Sequence, residues 1–210
     1  MKIKLLTVSC FLITTEKGVR IITDPYWHNY TPPNPPPNQT LHPPVSESAD
    51  IVTISHEHFN NSYVWAIKGV PRLYTGGGLA EIKGVKLDGV VGRHIGSNQC
   101  LNSIIIIEVD GIRIVHMGDF GQEKLFDEQL AKIGAVDVLM TRWSDMPAIL
   151  GQLRPRVVLP MKNARVDGYM KGMRGFVQMD DMSEVELTAN RLPTEMKVIM
   201  LKPALGIGDG

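Results

Sequence analysis

The residues of this chain best suited to chemistry are two histidines one position apart. His56 and His58 stand in the run Ile51-Val52-Thr53-Ile54-Ser55-His56-Glu57-His58-Phe59-Asn60-Asn61. In an extended backbone, side chains at i and i+2 point the same way. The pair can therefore present two imidazoles to one point just past a strand end. Two neutral imidazoles on a short, rigid spacing suit a borderline metal such as zinc. A bare His-x-His pair is also common as ordinary surface or core polarity, so the rest of the chain must decide.

Other candidates stand where further apolar runs end. Residues 85–91 lead into Gly92-Arg93-His94, 112–116 into His116-Met117-Gly118-Asp119, and 157–159 into Pro160-Met161-Lys162. Catalytic groups commonly sit on loops at strand ends, held by a rigid scaffold. Asp24, at the end of 19–23, is either a turn former or a carboxylate that orients a ligand histidine. His116 reads most simply as a packed or hydrogen-bonded residue behind Asp119. A ligand or proton-transfer role for it is the alternative. His28 and His42 fall in a loop and read as surface. Arg142, Trp143 and Arg165 could line a pocket by position alone. The scattered methionines, Met140 to Met182, read as adaptable packing.

The elements that must position these groups follow from periodicity and turn residues. Segments 2–6, 10–15 and 19–23 read as an opening meander of three strands, turned at Glu16-Lys17-Gly18. Residues 103–109 and 112–116 form a hairpin around Asp110-Gly111. Further strands are expected at 51–54, 70–74, 85–91, 136–140, 157–159 and 197–201. Helices are expected at 62–68, after the glycines 76–78, at 122–133, at 146–153, and at 181–191 with a capping box of Asp181 and Glu184. The glycine run lacks a P-loop lysine and reads as a turn. The stretch around 30–46 is too rich in proline for helix or sheet and reads as an inserted loop, a wall over the site or a subunit contact. The order is β-rich first, then alternating β and α, which suggests a mixed-sheet sandwich covered by helices.

Composition narrows the function classes. The 210 residues carry 22 Lys+Arg against 22 Asp+Glu, which argues against a basic nucleic-acid surface. Only two cysteines occur, Cys10 and Cys100, so a reduced, cytoplasmic setting is the simpler inference. The start, Met1 to Cys10, superficially resembles a lipoprotein signal, but its apolar run is short and a hairpin is the better reading. No run is long enough to span a membrane.

Taken together, these segments resemble the metallo-β-lactamase superfamily, in the branch of small metal-dependent hydrolases and ascorbate-phosphate lactonase-like enzymes. Cys10-Phe11-Leu12-Ile13, Ile22-Thr23-Asp24-Pro25, Ser55-His56-Glu57-His58-Phe59, His116-Met117-Gly118-Asp119 and Val158-Leu159-Pro160-Met161 carry the likeness, in order, over nearly the whole chain. It implies an α/β fold, a four-layer αβ/βα sandwich of two mixed β-sheets flanked by helices, in one domain over 1–210. It also implies that His56, His58 and His94 are the three histidines of a first metal position and that Asp119 is the bridging carboxylate. Zinc is the first expectation, with manganese or iron as alternatives.

The departures from that pattern are concentrated. Where the family has Asp and His after the pair, this chain has Asn60 and Asn61, and where it has a last His, this chain has Lys162. These positions are private to the second metal. Asparagine is a poor substitute for carboxylate or imidazole, and an ammonium cannot ligate. Lys162 could instead supply the missing positive charge beside Asp119, or it could point to solvent.

Two functions follow as expectations. The first is a divergent hydrolase with one metal-activated water, oriented by Asp119, acting on an ester, lactone or phosphoester of a small molecule. The second is a metal-free binding or interaction module in which Lys162 neutralises the site. A third variant keeps catalysis without metal, using Lys162 as base or nucleophile where burial depresses its pKa. Many relatives of this fold associate, which leaves a homo-oligomer open.

Overall fold

A computed structural model describes residues 1–25, 45–57, 62–95, 97–142, 146–161, 176–178 and 182–205. Fourteen strands and two α-helices occur among them. The strands are β1 (Lys2–Thr7), β2 (Cys10–Thr14), β3 (Arg20–Thr23), β4 (Ile51–Thr53), β5 (Arg72–Tyr74), β6 (Ala80–Ile82), β7 (Val85–His94), β8 (Ser97–Val109), β9 (Ile112–His116), β10 (Val138–Arg142), β11 (Val157–Met161), β12 (Phe176–Gln178), β13 (Glu184–Glu186) and β14 (Lys197–Met200). The helices are α1 (Asp127–Ile133) and α2 (Met146–Leu153).

Two sheets result. One has six strands in the order β13-β1-β2-β3-β4-β5, the other eight in the order β12-β14-β11-β10-β9-β8-β7-β6. Both are mixed. In the first, β13, β1, β2 and β3 pair antiparallel, while β3, β4 and β5 run parallel. In the second, β12, β14, β11, β10 and β9 are parallel, and β8, β7 and β6 are antiparallel additions.

This topology collects the chemistry at one edge. β9, β10 and β11 are parallel, so their C-terminal ends share an edge of the sheet. β7 and β9 each pair antiparallel with β8, so β7 runs the same way as β9 and ends at that edge too. At this edge the backbone N–H of Ser103, on β8, donates to the Ser55 carbonyl just past β4 at 2.6 Å. The two sheets are thereby joined where their functional ends meet.

Apolar side chains explain the layers. Ile3, Leu5, Phe11, Ile13, Ile21 and Ile51 of the first sheet meet Leu87, Ile105, Ile107, Ile114, Met140 and Leu159 of the second in one buried core. The outer face of the second sheet packs Val90, Ile106, Val115, Leu139 and Val158 under Ile133 of α1 and Ile149, Leu150 and Leu153 of α2. Strands buried on both faces read as continuous apolar runs, which is what Ile104-Ile105-Ile106-Ile107 is. Val45, Ala49 and Ile67 cover the outer face of the first sheet, packing with Leu6, Leu12, Ile22 and Val52. The architecture is the two-sheet α/β sandwich that the sequence resemblance implies, with few helices.

Several local expectations are corrected. Residues 184–186 form a strand, not the middle of a helix over 181–191, and helical geometry is confined to a 3₁₀ turn at Ala189–Arg191. Glu184-Val185-Glu186-Leu187 alternates with period two, and β13 pairs Val185 with Ile3 of β1 while Val185 and Leu187 are buried. Asp181 of the expected capping box lies outside the described residues. After the glycines there is no helix but β6, joined to β7 by Lys83-Gly84, both at positive φ, as a two-residue hairpin turn requires. The expected helix over 62–68 is a single 3₁₀ turn, Val64–Ala66, with no side-chain cap. The expected helix over 122–133 begins only at Asp127. Gln122 instead accepts a hydrogen bond from the Arg93 N–H, and Gln129 Oε1 accepts from the Phe126 N–H at the helix start. Asp127 and Glu128 then sit where the helix dipole favours acids, and Gly134 ends the helix at positive φ. The proline-rich loop lies outside the described residues. Among the described residues, no helix is long and apolar enough to cross a membrane.

Candidate metal centre

His56, His94 and Asp119 converge. Nε2 of His56 is 3.7 Å, and Nε2 of His94 3.6 Å, from Oδ2 of Asp119. One ligand atom from each of the three lies within 4.8 Å of the others. The two imidazole rings are 4.6 Å apart at their centroids and tilted by 62°. They come from three places in the chain: past β4 in one sheet, the end of β7, and the loop after β9 in the other.

Each approach has a local cause. His94 and Asp119 belong to strands separated by β8, yet they meet because the β7–β8 ladder shifts register between Arg93 and His94. Such a bulge bends a strand. The bent end of β7 then pairs with the loop after β9. Ile95 N–H donates to the Asp119 carbonyl, and Gly121 N–H to the Arg93 carbonyl, each at 2.9 Å.

Asp119 is held from behind by Asn102, a fully buried amide on β8. Its Oδ1 accepts from the Asp119 N–H and its Nδ2 donates to the Met117 carbonyl, both at 2.8 Å. Gly118 lies between them at φ 59°, and a Cβ there would run into Ser55 and Asn102. Glycine is required on both counts.

The tautomers can be read from the hydrogen bonds. Asp24 accepts the Ser55 N–H at Oδ1 (2.7 Å) and the Ser55 hydroxyl at Oδ2 (2.6 Å). With its one proton given to Asp24, Ser55 Oγ can only accept from His56 Nδ1, 2.8 Å away. His56 therefore carries a proton on Nδ1 and turns Nε2 toward Asp119 and His94. Nδ1 of His94 faces the Ile95 carbonyl at 2.5 Å, an acceptor only, so it too is protonated there, and Nε2 points toward Asp119. Asp24, for which the sequence left two readings, thus orients a histidine, by way of Ser55. It does so at φ 40°, a left-handed conformation that aspartate tolerates better than most residues.

His116 has the opposite arrangement. It is fully buried, its Nδ1 accepts the Gly118 N–H (3.2 Å), and its Nε2 donates to the Ser9 carbonyl (3.0 Å). Both nitrogens are engaged with backbone, behind Asp119, as the simpler sequence reading has it. Cys10 is buried nearby, and burial followed by the Asp24 charge pushes its thiol well above the ordinary range, so it is a neutral packing residue.

The donor set fits a divalent metal. Two ligands on a tetrahedral zinc with bonds near 2.0–2.1 Å lie roughly 3.3 Å apart. The observed separations exceed this by a few tenths of an ångström for the carboxylate, within reach of small side-chain adjustments. Burial grades outward. The His56 side chain is 2% exposed, that of His94 13% and that of Asp119 28%, so the cluster opens to solvent on the Asp119 side.

A family model described as the beta-lactamase superfamily domain matches residues 2–162. The chain belongs to the metallo-β-lactamase superfamily. It is similar to a Thermotoga maritima protein provisionally classed as a Zn-dependent hydrolase of that superfamily, at 26% identity and a TM-score of 0.74, over 95% of this chain and 97% of that one. It shares its fold with a Parabacteroides distasonis protein provisionally classed as a metal-dependent hydrolase (14% identity, TM-score 0.58, 95% and 91% covered). It also shares it with the Bacillus subtilis metallo-β-lactamase fold protein YhfI (10% identity, TM-score 0.55, 96% and 97% covered).

Of the residues that the metallo-β-lactamase pattern singles out in this sequence, the structure brings His56, His94 and Asp119 together. His58, Asn60, Asn61 and Lys162 lie outside the described residues, as do Trp143, Arg165, His28 and His42. Arg142 does line the cluster. Its Nη1 is 4.0 Å from Asp119 Oδ1, the oxygen turned away from the histidines. Ser55 and Asn102 were not foreseen as functional. The signal for Ser55 was a hydroxyl directly before a candidate ligand with an aspartate closing a neighbouring strand. That for Asn102 was one amide just before the isoleucine run of β8.

Proposed function

We propose that this protein is a hydrolase working with one divalent ion, zinc first and manganese or iron as alternatives, held by His56, His58, His94 and Asp119. Its substrate would be a small ester, lactone or phosphoester. The observation that carries the reading is the convergence of two Nε2 atoms and a carboxylate oxygen, with each imidazole's Nδ1 already committed to a hydrogen bond. Family membership supports hydrolysis as the reaction class.

Such an ion supplies Lewis-acid polarisation and an acidified water at neutral pH. The chain's own residues do the rest. Ser55 and the Ile95 carbonyl hold the two rings through Nδ1 and aim each Nε2 at the site. Asp119 Oδ2 faces the histidines and would close the ligand set, which leaves Oδ1 as the oxygen that would orient the water. His116, locked by backbone on both nitrogens, fixes the turn that carries Asp119. Asn60, Asn61 and Lys162 replace the ligands of a second ion, and this supports a one-ion centre. The low cysteine content supports a cytoplasmic setting.

The test is elemental analysis of untagged protein purified without chelator, beside a His56→Ala/His58→Ala variant. About one zinc, manganese or iron per chain, lost in the variant, is the expected result. No metal in the wild type after reconstitution would remove the hydrolase reading and leave a binding module.

A further inference from the structure

We propose that Arg142 is an anion-recognition residue of this centre, which takes a carboxylate or phosphate group on the substrate. The inference rests on the hydrolase reading for the word substrate, but its geometry is independent of a metal. Arg142 ends β10, in register with Met161 at the end of β11, and so stands on the edge where β7 and β9 also deliver their functional residues. Its guanidinium approaches Asp119 from the Oδ1 side, while both histidines approach from Oδ2.

Two features separate an anion site from a simple ion pair. The first is distance. At 4.0 Å the contact with Asp119 is electrostatic and too long for a hydrogen bond, so it steers the guanidinium without consuming its N–H groups. A guanidinium has five such donors in a planar fork that matches carboxylate and phosphate oxygens two at a time. The second is access. The Arg142 side chain is 26% exposed and that of Asp119 28%, so both face the open side of the cluster, whereas His56 is closed off. A charge-assisted bond made there is partly shielded from water and stronger than one on an open surface. Arginine cannot be deprotonated in this setting, so its charge is permanent.

The consequence for specificity is direct. Among the described residues Arg142 is the arginine or lysine that faces Asp119, so a divalent ion at the histidines would add positive charge to a site whose carboxylate already has a cationic partner. A substrate carrying an anionic group beside its scissile bond is then favoured over a neutral one. Arg142 also supplies, among the described residues, the counter-charge to Asp119 that the sequence offered to Lys162.

Isothermal titration of the purified protein with inorganic phosphate, at constant ionic strength in a zwitterionic buffer, tests this. Wild type should bind phosphate. Arg142→Ala should weaken binding at least roughly tenfold, and Arg142→Lys should restore it in part, since lysine keeps the charge but not the fork. Equal affinity in wild type and Arg142→Ala, or no binding by the wild type, would overturn the proposal. If Arg142→Ala fails to fold, the contrast between wild type and Arg142→Lys decides instead, equal affinity again overturning it. Metal content measured on the same samples keeps the two readings apart. Arg142-dependent phosphate binding without metal would leave Arg142 standing and sink the hydrolase. Metal with Arg142-independent binding would do the reverse.

Discussion

At the scale of single residues, the centre depends on how little freedom His56 has. Its Nδ1 is bonded to Ser55 Oγ, and Ser55 is bonded twice to the buried Asp24. Removing the hydroxyl takes away the acceptor that fixes the proton of His56 on Nδ1. Groups that orient a ligand histidine are typically worth 10–100-fold in metal affinity. Ser55→Ala should therefore weaken metal binding by roughly tenfold or more, read by competition with a chromophoric chelator. Its thermal midpoint should fall as well, because buried Asp24 Oδ2 loses the hydroxyl that donates to it, while the Ser55 N–H bond to Oδ1 remains. Unchanged affinity would mean that His56 is held by its packing alone. Gly118 shows the same economy of space. It is the one residue type that allows the Asp119 turn to lie directly on Ser55 and Asn102.

At the scale of elements, the Asp119 turn is hung from β8 rather than from its own strand. Asn102→Ala would orphan the Met117 carbonyl and the Asp119 N–H together. An unsatisfied buried polar group costs about 1–3 kcal/mol, so a stability loss of about 2 kcal/mol or more is expected in urea titrations, together with weaker metal binding. Ile107→Ala is the control. Ile107 is fully buried between the sheets, and its truncation costs about 2–5 kcal/mol but should leave metal affinity of the folded protein unchanged. If both variants lost metal equally, Asn102 would be acting through general stability. The same scale decides what was legible in the sequence. The meander turn at Gly18 and the Asp110-Gly111 hairpin were readable because turn chemistry is local. The helix α2 was readable to the residue. β13 was not, because its strand character depends on pairing with β1, nearly the whole chain away. The meeting of His94 with Asp119 was expected only through the family resemblance. The bulge that creates it follows from no residue pattern in the run from Val85 to His94.

At the scale of the molecule, the candidate ligands come from two sheets, so the centre lasts only as long as the sandwich stays closed. Tyr74 is one of the residues that closes it. It lies on the edge strand β5 of the first sheet, is buried in the shared core, and donates its hydroxyl to the Gly78 carbonyl. Burial, with the Asp88 charge from β7 as a second cause, pushes its phenol up to about 12. A free tyrosine titrates near 10. Because the folded value is the higher one, the unfolded chain loses this proton first as pH rises. The stabilisation is thus complete below about pH 10 and is lost through about pH 12. Wild type should fall more steeply than Tyr74→Phe over that window in urea midpoints. Tyr74→Phe should start lower at pH 9, since it lacks the bond to Gly78, and the gap should narrow as pH rises. Other groups titrate in both proteins alike, so the change in the gap isolates Tyr74. Parallel curves from pH 9 to 12 would mean that the phenol ionises in the folded protein as readily as in the unfolded chain. Tyr74 would then not be the buried link between sheets that its place in the core makes it.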